Sequence, residues 1–219
     1  MALLQEKERK YLREKFEALP QPVKMIMFTQ EIECAYCQET RQLSEELAGL
    51  SDKISLEVCD LVKDREVAEH YQVDKIPAIV LMKGGDQPKD YGIRYYGVPA
   101  GYEFSSLVED IAMIGWGESG LSAATKTELA RLTTPLHLQV FVTPTCPYCP
   151  PAVLLAHQFA FESDLVRADM VEAIEFPHLS QKYEVRGVPR TVINETVHLE
   201  GAAPESMLLA RVRQALVEG

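Results

Sequence analysis

The apolar positions of this chain form one series of strand-like and helix-like patterns, and the series occurs twice. Val23 to Thr29 is mostly apolar, and Leu136 to Val142 alternates apolar and polar residues, so both segments are predicted to be strands. A helical pattern follows each strand. In the first half it places Leu43, Leu47 and Leu50 on one helix face.

The remaining predicted elements also correspond between the halves. They are strands at 54–58 and 165–170, short helices at 66–71 and 178–183, strands at 77–82 and 189–193 that each begin with a proline, one further strand, and closing helices with apolar stripes at 104–111 and 208–216. An additional helix precedes each series, at about 3–18 and 124–132. The pattern predicts an α/β protein with two similar units, each a mixed central sheet flanked by helices.

An offset of 112 residues relates the most distinctive positions of the two halves. It separates Cys34 from Cys146, Cys37 from Cys149, and Pro77 from Pro189. A repeat of this length indicates two copies of one domain. The stretch from Gly115 to Gly120 is rich in small residues, and we expect the boundary there, with a first domain at 1–117 and a second at 118–219.

The charge balance excludes one class of partner. The 219 residues include 22 Lys and Arg against 33 Asp and Glu, a net charge of −11, so nucleic acid is not an expected partner. The N-terminal segment is charged where a signal peptide would be apolar, and no stretch of 18 uncharged apolar residues follows, so we expect a cytoplasmic protein that does not enter the membrane. Asn194 is the only asparagine, which favours a thermophilic source.

Four of the five cysteines form two Cys-x-x-Cys pairs, each between a predicted strand and a predicted helix. A cysteine at a helix start faces unpaired backbone N–H groups, which stabilise the thiolate and can lower its pKa to roughly 3.5–7.5. Cys34 and Cys146 are therefore predicted to attack substrates. Cys37 and Cys149 lie further along and are predicted to resolve the mixed disulfide, so these four are the predicted catalytic residues.

A zinc site or static disulfides are the alternatives for these pairs. Zinc sites of this type usually bring their halves within about 15–20 residues, whereas 108 residues lie between Cys37 and Cys146. The five histidines show no ligand-like spacing to the cysteines and are expected on the surface or on helix faces, so no metal is predicted. No glycine-rich stretch matches a nucleotide-binding loop, so no cofactor is predicted. Cys59 has no counterpart at the repeat offset and is expected to be a buried core residue.

The prolines lie 43 residues after the first cysteine of each pair. With Cys-Ala-Tyr-Cys, Cys-Pro-Tyr-Cys and Val-Pro-Arg-Thr-Val-Ile-Asn, this arrangement resembles the thioredoxin and glutaredoxin superfamily, and from about residue 5 to 217 the chain looks like the two-domain protein disulfide oxidoreductases of thermophilic prokaryotes. The resemblance implies two tandem thioredoxin-like folds, with Pro77 and Pro189 cis and beside the cysteine pairs. It also implies that the backbone at Ile76 and Val188 pairs with bound substrate.

Two further features concern substrate and proton transfer. Tyr36 and Tyr148 lie between the paired cysteines, where they either pack locally or present an apolar edge to substrate. Phe28 and Val140 stand where thioredoxins keep a buried acidic residue, so the resolving sulfur must lose its proton to water or another group, with Glu33 a weak candidate.

The expected activity is thiol–disulfide exchange, that is, reduction, oxidation or isomerisation of disulfides in protein substrates. Reducing equivalents are then expected from an NADPH-dependent flavoprotein resembling thioredoxin reductase, or from small thiols. Two alternatives stay open. One is an electron-transfer module for a peroxidase, similar to the tandem-thioredoxin N-terminal domain of the flavoprotein component of alkyl hydroperoxide reductase. The other is a chaperone-like binding module that uses apolar rims near Tyr36 and Tyr148.

Overall fold

The computed structural model describes residues 3–218, which contain eight helices and eight strands. The helices are α1 (Glu6–Glu17), α2 (Cys37–Ala48), α3 (Arg65–His70), α4 (Glu103–Trp116), α5 (Ala123–Leu129), α6 (Cys149–Glu162), α7 (Pro177–Lys182) and α8 (Glu205–Glu218). The strands are β1 (Val23–Thr29), β2 (Ile54–Asp60), β3 (Ala78–Lys83), β4 (Lys89–Tyr96), β5 (Leu136–Val142), β6 (Val166–Glu172), β7 (Arg190–Ile193) and β8 (Val197–Glu200). None of the helices within residues 3–218 is long and apolar enough to cross a membrane.

In the first half of the chain, β1 is the central strand. It pairs with β2 in parallel and with β3 antiparallel. Successive strand residues point to opposite faces, and the residues from Met25 to Phe28 are all fully buried, so both faces of β1 are covered. This is why the strand is an apolar run without alternation. α2 packs against β1 and β2.

The second half repeats this arrangement. β5 is the central strand, with β6 parallel on one side and β7 antiparallel on the other, and β8 pairs antiparallel with β7. α6 packs against β5 and β6, and α8 packs against β7 and β8. The prediction of two similar α/β units with mixed sheets is confirmed.

The chain divides into two compact units that are interleaved in sequence. The first contains the residues up to Asp90, Tyr95–Val98 and Ile111–Glu118, and the second contains Tyr91–Arg94, Pro99–Asp110 and the residues from Ser119 onward. β4 and α4 thus contribute residues to both units. The domain ranges 1–117 and 118–219 remain a prediction, and their outermost residues 1, 2 and 219 lie outside the described residues.

The stretch expected to separate the halves begins inside a helix, because α4 continues through Trp116. Gly115 serves close packing there, since a Cβ at this position would lie 2.7 Å from the side chain of Leu19. The helix ends at Trp116, and the next residue, Gly117, has a φ of +76° that is accessible to glycine at little cost. The boundary expected at Gly115 to Gly120 thus starts within the last two residues of α4.

Candidate active site

Both Cys-x-x-Cys pairs follow the carboxyl ends of the central strands β1 and β5. Each pair forms a disulfide, with Cα atoms 5.4 Å apart in the first pair and 5.5 Å apart in the second. Cys37 is 3% exposed and Cys149 is fully buried. Cys34 is half-buried, and Cys146 is 9% exposed, so the first sulfur of each pair is the more accessible one.

The helices begin at the second cysteine of each pair and not at the first. α2 starts at Cys37 and α6 at Cys149. Before α6 the chain forms a turn, in which the N–H of Cys146 donates to the carbonyl of Thr143 at 3.1 Å and the N–H of Cys149 to the carbonyl of Cys146 at 3.4 Å. The first cysteine consequently precedes the helix. The two prolines after Cys149 lie in the first turn of α6, where N–H groups have no partner within the helix in any case.

A loop with a cis proline lies beside each cysteine pair. The Ile76–Pro77 and Val188–Pro189 peptide bonds are both cis. The prolines directly precede β3 and β7, which run antiparallel to the central strands, so they lie at the edges from which the cysteine loops extend. In the second unit the Sγ of Cys146 is 3.7 Å from the carbonyl oxygen of Val188. The pairing of Ile76 and Val188 with substrate remains a prediction.

Exposed apolar side chains lie around each pair. Tyr36 is 40% exposed and Val62 is 68% exposed in the first unit; Tyr148 is 69% exposed and Ile174 is 68% exposed in the second. Val62 and Ile174 follow β2 and β6, which end at the same edges as their parallel partners β1 and β5. Neither residue was predicted from the sequence, because single apolar residues in loops show no periodicity. Their separation of 112 residues was the available signal.

A cluster of buried polar side chains in the second unit was also missed. Glu103, Ser106, Asp110 and His157 are each at most 1% exposed. The hydroxyl of Ser106 donates to Oε2 of Glu103 at 2.7 Å, and Nδ1 of His157 bonds to Oδ2 of Asp110. Oε1 of Glu103 has no hydrogen-bond partner among the described residues. Burial raises the pKa of Glu103 to about 7, and the Ser106 hydrogen bond and the nearby His157 limit this rise.

The helix contacts place Glu103 at the level of the second cysteine pair. Next to Glu103, the N–H of Tyr102 donates to the carbonyl of Pro144, in the loop that leads to Cys146, at 3.0 Å. Seven residues further along α4, Asp110 bonds to His157, which lies eight residues after Cys149 on α6. The start of α4 therefore lies beside the loop that leads to Cys146, and Asp110 of α4 lies beside His157 of α6. Glu103 is the first residue of α4, and Cys149 is the first residue of α6.

The other titratable candidates have different surroundings. Cys59 is buried and forms no disulfide, as expected from the sequence, and burial together with the charges of Glu57 and Asp64 raises its pKa to about 11. The histidines were expected on the surface or on helix faces, and His157 lies on α6, with its side chain fully buried. Within residues 3–218, no three His, Cys, Asp or Glu side chains form a group suited to hold a metal ion.

Two α/β units, each with a Cys-x-x-Cys pair at the carboxyl edge of its central strand and a cis-proline beside it, define a thiol–disulfide oxidoreductase of the thioredoxin class. The thioredoxin family model matches residues 13–95, and the thioredoxin domain model matches residues 136–213. The structure is similar to the crystal structure of a protein disulfide oxidoreductase from Aeropyrum pernix K1, with a TM-score of 0.90 and 32% identity over 96% of this chain and 93% of that chain. The chain belongs to this protein disulfide oxidoreductase family.

Parts of a second class of protein are also similar. The N-terminal domain of the alkyl hydroperoxide reductase AhpF from Enterococcus faecalis has a TM-score of 0.87 and 25% identity, over 95% of this chain and 99% of that chain. The AhpF protein from Pseudomonas aeruginosa is 23% identical over 92% of this chain but only 36% of its own length. The chain thus spans about a third of the length of this curated relative. The predicted tandem thioredoxin folds and the disulfide oxidoreductase class are confirmed.

Proposed function

We propose that the protein catalyses thiol–disulfide exchange with protein substrates at both cysteine pairs. The proposal rests chiefly on the second unit, where Sγ of Cys146 lies 3.7 Å from the carbonyl of Val188 while Cys149 is fully buried. A substrate sulfur can approach Cys146 beside the proline loop, and external disulfides are kept away from Cys149.

The reduction of a substrate then takes two displacement steps. The thiolate of Cys34 or Cys146 attacks one sulfur of the substrate disulfide, forms a mixed disulfide and releases the other substrate sulfur as a thiolate. Cys37 or Cys149 loses its proton and attacks the enzyme sulfur of that mixed disulfide. The second substrate thiolate leaves, and the enzyme dithiol has become a disulfide by giving two electrons to the substrate. Oxidation of a substrate dithiol is the reverse sequence.

Glu103 is the proposed proton acceptor for Cys149 in the second unit. It follows Tyr102, whose N–H donates to the carbonyl of Pro144 in the loop before Cys146, and its Oε1 has no hydrogen-bond partner among the described residues. A carboxyl with a pKa of about 7 exchanges protons readily at neutral pH. This assigns to Glu103 the task for which the sequence offered only Glu33 or water.

The electron donor is proposed to be a separate NADPH-dependent flavoprotein of the thioredoxin-reductase type. The support is chemical, because each catalytic cycle as a reductase consumes two electrons that the enzyme dithiol must regain. A cytoplasmic location is supported by the cysteine usage, in which four of five cysteines belong to the two exchange pairs. A thermophilic source is supported by the single asparagine.

A second candidate function is the relay of electrons to a peroxidase. The similarity over 95% of the chain to the N-terminal domain of the alkyl hydroperoxide reductase AhpF favours it. The same dithiol chemistry serves both functions, and only the partner differs.

The reduction of insulin disulfides with a small dithiol as electron source tests the main proposal. We expect no activity when all four paired cysteines are replaced by Ser. The variant Cys34→Ser with Cys37→Ser should keep most of the activity, because Thr143 and Thr145 bring no charge to the second site, whereas Glu33 opposes thiolate formation at the first. Glu31 contributes less, since it is ion-paired with Lys63. The reciprocal variant, Cys146→Ser with Cys149→Ser, should retain the smaller part.

Circular dichroism controls for folding in each variant. If the chain without the four sulfurs still reduces insulin disulfides, the exchange proposal is wrong. If that chain does not reduce insulin but keeps in solution the insulin that the small dithiol reduces, the chaperone-like binding module is favoured. If the second pair contributes less than the first, only the ranking of the two sites fails.

A further inference from the structure

The two cysteine sites differ in the uncompensated charges beside them. In the first unit, Glu33 directly precedes Cys34, and Glu39 lies in the first turn of α2; both are exposed, and neither has an ion pair among the described residues. At the corresponding positions of the second unit stand Thr145 and Pro151.

Two charged residues, Glu184 and Arg186, lie between α7 and Val188, and Arg186 is the nearer to Val188 in sequence. It lies two residues before Val188, which places its Cα within about 7 Å of the residue whose carbonyl faces Cys146. The side chain is exposed and has no ion pair or hydrogen bond among residues 3–218. The corresponding residue of the first unit is Asp74, which pairs with Lys75 at 2.5 Å.

The flank of the second proline loop is also open. Gly187 follows Arg186, and a Cβ at this position would meet no atom within 4 Å. In the first unit Lys75 takes this position and lies over the ring of Tyr96, with Nζ 3.8 Å from the ring centre. The second loop therefore has open space beside the guanidinium of Arg186. In the first loop, the ion-paired Lys75 occupies the corresponding space.

We propose that Arg186 makes the second site the docking place for acidic cysteine-bearing segments of protein partners, and that the first site disfavours them. This inference rests on the proposed exchange function and specifies its substrate class. The exposed side chains of Tyr148 and Ile174 contact the apolar part of the segment. A carboxylate next to the reacting cysteine pairs with the guanidinium of Arg186, whose planar donors suit a carboxylate.

The magnitude follows from the exposure of the charge. Exposed ion pairs change an equilibrium or a rate about two- to fivefold. The net charge of −11 repels any acidic segment from both sites alike, so it cancels when the two sites of this chain are compared. The local charges therefore decide the preference between the sites.

Single-turnover reduction of peptide disulfides tests the inference without an external reductant. The protein dithiol becomes a disulfide, and each peptide disulfide yields two peptide thiols. The rate of cleavage is measured from the fluorescence that appears when a quencher is released. Two peptides share one apolar core and carry either Glu or Gln on both sides of the cysteine. The chain with Cys34→Ser and Cys37→Ser retains the second site, and the chain with Cys146→Ser and Cys149→Ser retains the first.

We expect the second-site chain to reduce the Glu peptide about two- to fivefold faster than the Gln peptide, and the first-site chain to prefer the Gln peptide. Arg186→Gln in the second-site chain should bring the ratio to about one, and 0.5 M salt should move it in the same direction. Arg131→Gln is the matched control, because Arg131 lies before the amino end of β5, the far end of that strand from Cys146. It removes the same charge and should leave the ratio unchanged.

Three results overturn the inference. They are equal Glu to Gln ratios at both sites, a ratio that survives Arg186→Gln, and a ratio that Arg131→Gln abolishes equally. Each of these leaves the exchange function standing. If neither folded single-site chain reduces any peptide, the proposed function itself is wrong, and the charge inference fails with it.

Discussion

Glu103→Gln is the most informative single substitution in the second unit. The glutamine keeps the shape of the side chain and an oxygen for the Ser106 hydrogen bond, but it cannot ionise. Burial raises the pKa of Glu103 from 4.5 to about 7, and the side chain is 1% exposed, so solvent screens the effect little. Each pKa unit corresponds to about 1.4 kcal/mol, so ionised Glu103 destabilises the folded state by about 3 kcal/mol.

The sign of the pH dependence follows from linkage. Between pH 4.5 and 7 the folded chain holds a proton on Glu103 that the unfolded chain has released, so the free energy of unfolding falls as the pH rises through this window. The Gln variant lacks this term. Its stability relative to the wild type should therefore increase by about 3 kcal/mol between pH 4.5 and pH 8.

Denaturant unfolding of the oxidised proteins, followed by circular dichroism at several pH values, measures this difference. Glu109→Gln, an exposed residue of the same helix, controls for the loss of one carboxylate. A difference between Glu103→Gln and wild type that stays constant across this pH range would refute the buried, proton-holding Glu103. If the stability of the Glu109→Gln variant relative to wild type rose with pH by the same amount, the loss of one charge alone would be responsible.

Two other predictions concern the cysteine roles and the loop before Cys146. Cys37→Ser and Cys149→Ser should trap mixed disulfides with substrate at Cys34 and Cys146, as mapped by mass spectrometry under non-reducing conditions; traps at the second cysteines in the reciprocal variants would reverse the roles. Gly101→Ala should destabilise the chain by more than Gly201→Ala, because both glycines have positive φ, of +60° and +76°, but only at Gly101 would a Cβ overlap the carbonyl oxygen of Pro144. The left-handed backbone costs each variant about 1–2 kcal/mol. Equal unfolding midpoints for the two variants would show that the loop accommodates the added Cβ at position 101 without a further loss of stability.

The strands and the positions of the chemistry could be predicted because they depend on local patterns. The predicted limits of β1 and β5 agree with the structure, since apolar strand patterns bounded by turn residues mark a buried central strand. The equal spacing of cysteines and prolines indicated two sites. The start of the helices was misplaced by three residues, because the Cys-x-x segment forms a turn whose bonds the sequence pattern does not reveal.

The buried cluster around Glu103 could not be predicted from one helix alone. Glu103, Ser106 and Asp110 lie on one face of α4, and such a polar face ordinarily indicates contact with solvent. The face is buried because His157 of α6 packs against it, which requires the tertiary arrangement. A signal was present in His157 itself, the only titratable residue between Cys149 and Glu162 in a mostly apolar helix.

The repeat allows the two copies of the unit to be compared within one chain. Where the copies agree at the 112-residue offset, as in Tyr36 and Tyr148, both sites present the same side chain to a substrate. Where they differ beside the same cysteine chemistry, as in Asp74 and Arg186, the two sites present opposite charges. A duplicated enzyme of this kind can thus widen its range of partners without putting its basic reaction at risk.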